Sequence, residues 1–125
     1  MGKFEVVKTG TGIVFHLKAS NGETIATSEV YNSAAACLNG IDSVKKNAGS
    51  APVEDHTVDP VAEQKNPKFE MYADKAGEFR FRLKAINGQE IAASQAYKEK
   101  ASCIKGIESV KKNAFEAEVV RKDLE

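Results

Sequence analysis

Phe79-Arg80-Phe81-Arg82-Leu83-Lys84-Ala85-Ile86-Asn87-Gly88, continued by Gln89-Glu90-Ile91-Ala92-Ala93-Ser94, decides the fold of this chain. Phe79, Phe81 and Leu83 alternate with Arg80, Arg82 and Lys84, which is the period of a strand with one buried and one solvent-facing side. Asn87-Gly88 then separates this run from a second short apolar run, Ile91-Ala92, so the stretch predicts a hairpin. Asn-Gly between strand patterns suits a type I′ turn, whose two central residues take positive φ, a conformation these residue types adopt cheaply.

The same text stands 66 positions earlier, as Phe15 for Phe81, Leu17-Lys18-Ala19 for Leu83-Lys84-Ala85, Asn21-Gly22 for Asn87-Gly88, and Ile25-Ala26 with Ser28 for Ile91-Ala92 with Ser94. The match extends outward in both directions. Lys3-Phe4-Glu5 returns as Lys68-Phe69-Glu70, Tyr31 as Tyr97, Cys37 as Cys103, Gly40-Ile41 as Gly106-Ile107, and Lys45-Lys46-Asn47-Ala48 as Lys111-Lys112-Asn113-Ala114. The chain therefore reads as a tandem duplication.

Within each repeat three period-two runs precede one helical run. Phe69 and Met71 alternate with Glu70 and Tyr72, and Phe4, Val6, Ile13, Phe15 and Leu17 do the same in the first copy. Thr9-Gly10-Thr11-Gly12 and Asp74-Lys75-Ala76-Gly77 turn the first hairpins. After Tyr31, Ser33 is an N-cap candidate, and Cys37, Ile41, Val44 and Ala48 recur at helical spacing as a stripe that packs on the sheet. Gly40 and Gly106 adjoin that stripe and cost about 1 kcal/mol of helix propensity, which close packing can offset. Lys45-Lys46 and Lys111-Lys112 fall in the last turn, where cations favour the negative end of the helix dipole.

All three prolines lie between Ala51 and Pro67, a segment that combines an edge strand around Val53 to Val58 with a linker. Its counterpart is the tail Phe115 to Lys122, so each repeat is expected to end in a further strand that can pair with its own unit or with the other. The expected fold is α+β: two β3-α-β units forming one mainly antiparallel sheet with both helices on one face. We expect a single domain over 1–125, with repeats at 3–50 and 68–123 and a strand plus linker at 51–67; 124–125 is read as a tag scar. A half of such a chain is too small to hold a core alone, whereas the whole buries roughly two thirds of its unfolded surface.

Lys plus Arg and Asp plus Glu number 18 each, a balance that argues against a strong non-specific polyanion binder. No apolar run has the length of a membrane span, and the first residues carry no signal-peptide pattern, so the expectation is a soluble, cytoplasmic monomer with no membrane contact. The two cysteines sit in the helical stripe and read as reduced, buried small hydrophobes.

Lys-Phe-Glu at 68–70, the Phe79 to Gly88 run, Ile91-Ala92 with Ser94, and Gly106-Ile107-Glu108-Ser109-Val110-Lys111-Lys112-Asn113-Ala114 together resemble the YegP-like family (DUF1508, UPF0339) over nearly the whole chain, twice. The first copy departs mildly, with Ile13-Val14 and His16 where the second has Phe79-Arg80 and Arg82. The resemblance implies a repeated β3-α-β unit with exchanged C-terminal strands, and no established activity, catalytic residue or cofactor.

The residues agree in offering little chemistry. His16 and His56 are unrepeated, one on the solvent face of a strand and the other in the linker, the cysteines lack zinc spacing, and there is no phosphate-cradling glycine loop. No catalytic residue, metal ligand or cofactor is expected. The one surface open to a functional reading is the solvent face of the sheet, with Arg80, Arg82 and Lys84 on one strand, Tyr72 on its neighbour, and His16 and Lys18 from the first copy. Cations beside an aromatic suit phosphates and bases, although Glu5 and Glu70 on the partner strands would consume positive charge. The expected function is a small non-enzymatic binding or interaction module whose partner, a protein or a weakly bound nucleic acid, these residues leave open, ahead of a weak single-stranded nucleic-acid or anion binder through the sheet face, with an enzyme third.

Overall fold

The computed structural model describes residues 2–122; Leu124-Glu125, read above as a tag scar, lie outside them. The order is β1 (Lys3–Lys8), β2 (Ile13–Lys18), β3 (Thr24–Ser28), α1 (Ala34–Asn47), β4 (Val53–Asp55), β5 (Lys68–Ala73), β6 (Phe79–Lys84), β7 (Glu90–Ala93), α2 (Lys100–Ala114) and β8 (Glu118–Lys122). All eight strands form one sheet in the order β4-β5-β6-β7-β3-β2-β1-β8. The strand after each helix pairs with the other unit: β4 runs parallel to β5 and β8 parallel to β1, while the remaining pairs are antiparallel.

Period-two patterning sorts the side chains. Cross-strand partners share a face, and the chain of partners Phe4–Leu17–Ala26, then Ser28–Ala92–Leu83–Phe69, puts the buried residues on one side. Both helices cover that side. Cys37, Ile41 and Val44 of α1 and Cys103, Ile107 and Val110 of α2 join Phe4, Phe15, Phe69 and Phe81 in one core. α1 packs over β1, β2 and β7, and α2 over β1, β3 and β6, so each helix reaches strands of both repeats. Lys45 and Lys111 extend over the rings of Phe4 and Phe69 at 5.9 and 5.8 Å, adding a cation–π contact to their favourable place in the helix dipole.

The Asn-Gly turns differ from the type I′ expectation. The Gly22 amide donates to the Ala19 carbonyl and the Ala19 amide to the Glu23 carbonyl, so Ser20 and Asn21 form the turn's centre and only Gly22, at φ 86°, closes it in the left-handed region. This is the three-residue loop with a glycine bulge. Ala85 to Gln89 and Asp74 to Glu78 repeat the pattern, with Gly88 at 85° and Gly77 at 81°. The side chain decides between the two turns: Asn21 Oδ1 accepts the Glu23 amide at 3.0 Å, as Asn87 Oδ1 accepts that of Gln89, which fixes the Asn inside the turn.

Candidate functional site

The sheet face opposite the helices carries one row across the molecule, Glu54–Glu70–Arg82–Ala93–Thr27–His16–Glu5–Val120. Small residues at the centre, Ala93 and Thr27, separate two polar clusters.

Tyr72, Arg80, Arg82 and Lys84 come together in the cluster of the second repeat. The Arg82 guanidinium lies 4.7 Å from the centre of the Tyr72 ring while its Nε donates to Glu70 at 2.6 Å. Lys84 Nζ is 3.7 Å from the same carboxylate, and Arg80 Nε donates to Asp74 Oδ2 at 2.8 Å. His16 and Lys18 belong to the other cluster, since β3 and β7 stand between β2 and β6. Lys18 and Lys3 both pair with Glu5, at 3.2 and 3.3 Å, and His16 Nδ1 is 2.9 Å from Thr27 Oγ1. Partial burial, aided by the nearby Lys18 charge, lowers the His16 pKa and favours the neutral ring.

The face is drier than its sequence suggests. Glu5, Glu54 and Glu70 are all buried, because Lys and Arg stems lie across them and the segment after β4 turns back over Glu54. Sequence reasoning weighed His56 only as a lone linker imidazole and did not join it to Glu54 and Lys68, with which it forms a hydrogen-bonded group on this face. Lys68 Nζ donates to Glu54 Oε2 at 2.7 Å, the Gln64 amide donates to the same oxygen at 2.7 Å, and His56 Nε2 stands 2.6 Å from Glu54 Oε1. The Lys68 hydrogen bond, followed by that of Gln64, carries the Glu54 pKa down to about 2. Glu54, His56 and Glu70 place ligand atoms within 4.8 Å of one another, but Lys68 Nζ already approaches both carboxylates, at 2.7 and 3.5 Å, and supplies the cation there. Nothing in the local sequence joins Glu54 to Lys68; the parallel pairing of β4 with β5 does.

The two thiols are withdrawn from solvent. Cys37 and Cys103 are free and buried, and burial pushes the Cys103 thiol up to about 11. Burial likewise raises Tyr31 to about 12. Two grooves with matching linings flank the helices, about 370 Å³ beside Tyr31, Gly40 and Asn87 and about 450 Å³ beside Tyr97, Gly106 and Asn21, so each combines the helix of one half of the chain with a hairpin turn of the other. No helix among the described residues is long and apolar enough to cross a membrane.

Comparison with known proteins agrees with the geometry. The family described as "Domain of unknown function (DUF1508)" matches residues 10–55 and 74–120. A UPF0339 protein in the ptx operon 5′ region of Stutzerimonas stutzeri is 42% identical over 120 residues, 95% of each chain. A UPF0339 protein of Treponema denticola is 62% identical over 53 residues, which is 42% of this chain and 91% of that one. The solution structure of the protein of unknown function YegP from E. coli superimposes with a TM-score of 0.79 at 37% identity, covering 97% of this chain and 92% of that one.

Proposed function

The chain belongs to the DUF1508 family of domains of unknown function, and from that premise we propose that it is a non-enzymatic interaction module that receives a protein partner at its open sheet edge. One observation carries this reading: among the described residues the outermost strand β8 has a neighbour, β1, on one side only, whereas the carboxylates Glu5, Glu54 and Glu70 of the open sheet face are paired with cations. An unpaired row of backbone donors and acceptors is satisfied by an added strand. The neutral, hydrogen-bonded His16 and the buried thiols support binding over catalysis. The test is affinity capture with the full chain against its Val119→Lys/Val120→Lys variant, since edge lysines discourage strand addition. Partners held by the native chain and lost by the variant support the reading, and an unchanged set removes it.

Anion or single-stranded nucleic-acid binding is the second reading, favoured by the stacking of Arg82 on Tyr72 beside Arg80 and Lys84. Amide shifts on titration with short RNA and DNA, concentrated at those four residues and weakening with salt, would place it first. A silent spectrum would eliminate it.

A further inference from the structure

The two grooves beside the helices are alike in what holds the fold and unlike in charge. Their linings stand at positions 66 apart throughout. The identical residues serve packing: Gly40 and Gly106 admit the hydroxyls of Tyr31 and Tyr97 against their helices, and Ser43 and Ser109 accept from Asn47 and Asn113. Packing leaves the residues that differ unexplained. Where the groove beside Tyr97 has Gln95, Thr24 and Lys105, the groove beside Tyr31 has Glu29, Glu90 and Asn39. The first lining holds Glu23 with Lys105 and is neutral, whereas the second holds two carboxylates and no cation.

Those two carboxylates are available to a ligand. Glu29 and Glu90 are exposed, and among the described residues neither pairs with a cation, in contrast to Glu5, Glu54 and Glu70. Arg82 lies near enough to Glu90 to feel its charge, but its Nε contact goes to Glu70. The Tyr31 hydroxyl likewise has no hydrogen-bond partner among the described residues, so its lone pairs are open to a donor. Ala36, Ala85 and Ile91 give the same groove an apolar wall. A hydrated metal ion gains nothing from that wall, and an alkyl chain does. The volume of about 370 Å³ falls in the range of small-molecule sites.

We propose that the groove beside Tyr31 binds a small organic ammonium ion, with its alkyl chain along Ala85 and Ile91 and its N–H groups donating to acceptors among Glu29, Glu90 and the Tyr31 hydroxyl, and that the matching groove beside Tyr97 does not. The site is separate from the β8 edge and stands or falls without it. Because both carboxylates are solvated, binding is weak, roughly millimolar, and declines with salt.

Amide-shift titration of the full chain with n-butylammonium at low salt tests it, with n-butanol as the neutral control and magnesium chloride as the hard-cation control. Shifts should gather at Glu29, Tyr31, Gly40 and Glu90, spare Tyr97 and Gly106, and weaken with salt. Glu29→Gln/Glu90→Thr gives this groove side chains that its counterpart already carries, so the fold is kept while binding weakens about tenfold. Gln95→Glu/Thr24→Glu/Lys105→Asn should extend the response to Tyr97 and Gly106. The proposal is overturned by a silent native chain, by equal response in the two grooves, by n-butanol or magnesium acting as strongly as the ammonium, by unchanged affinity in the first variant, or by a second variant that stays silent at Tyr97.

Discussion

Gly106 shows why a helix keeps a residue that weakens it. A Cβ built there would stand 2.6 Å from the Tyr97 hydroxyl oxygen and 3.0 Å from Phe81 Cε2, and Gly40 meets Tyr31 and Phe15 in the same way. Gly106→Ala therefore gains about 1 kcal/mol of helix propensity and loses about 1–3 kcal/mol to overpacking. We expect net destabilisation in urea unfolding, smaller when Tyr97→Phe removes the nearest atom; a Gly106→Ala chain more stable than the native one would refute this account. Ser28 and Ser94 are explained as locally: each Oγ accepts a strand amide, that of Phe15 or Phe81 at 2.9 Å, and donates to the following residue's carbonyl. Their repetition was legible in the sequence and their purpose was not, because both partners lie 13 positions away. The same holds for the candidate cations. Alternation placed Arg80, Arg82 and Lys84 on one face and set Glu70 on the neighbouring strand to draw on their charge, but the pairing of Arg80 with Asp74, a turn residue, depends on side-chain reach that patterning does not encode.

Hairpins and helices were the most legible elements, since each is set by signals a few residues apart, and the final strands were the least. The residues of β4 and β8 announce strands without naming a partner; the helices, each lying over strands of both repeats, carry them to the far edges. Two predictions belong here. α1 starts at Ser33, whose Oγ accepts the Ala36 amide at 3.1 Å, whereas α2 starts at Glu99 with no side-chain cap. Glu99→Ser should raise stability by about 0.5–1 kcal/mol, and a thermal melt that shifts down would count against it. The β4–β5 clamp makes a prediction in pH. Glu54 titrates at about 2 in the folded chain, below its ordinary 4.5, so the unfolded chain binds more protons between those values. Its contribution is complete above about pH 4.5 and is lost as pH falls through about 2. Asp55 and Glu70 shift in the same direction: burial opposes it in both, but Lys100 and Thr57 outweigh it at Asp55 and Arg82 and Lys84 at Glu70. Glu54→Gln should cost about 1.5–3 kcal/mol at neutral pH, the range for losing a charge-assisted hydrogen bond, and should flatten the acid limb of stability. Parallel acid limbs for the two proteins would show that Glu54 does not carry it.

Across the whole molecule, the seam between the repeats is the weakest line of the sheet, with only Thr27–Ala93 and Ser28–Ala92 paired between β3 and β7. Taken alone, that seam would let two repeats melt as separate beads. Three other features cross it: α1 reaches β7, α2 reaches β3 and β1, and β4 and β8 each complete the other unit's half of the sheet. Either repeat unfolding by itself would strip an edge strand from its neighbour and open the shared core containing Phe4, Phe15, Phe69 and Phe81. A half exposed in this way falls below the size at which a domain stands alone. Unfolding should therefore be a single cooperative transition, with the calorimetric enthalpy equal to the van't Hoff enthalpy. The sharper measurement is transmission between halves. Ser94→Ala removes the acceptor for the Phe81 amide in the second repeat, at a cost of about 1–3 kcal/mol, and in a chain that unfolds as one unit it must lower the exchange protection of β1 and β2 amides by the same free energy. Protection lost in β5 to β7 but kept in β1 and β2 would show that the crossing helices and exchanged strands leave the repeats thermodynamically independent.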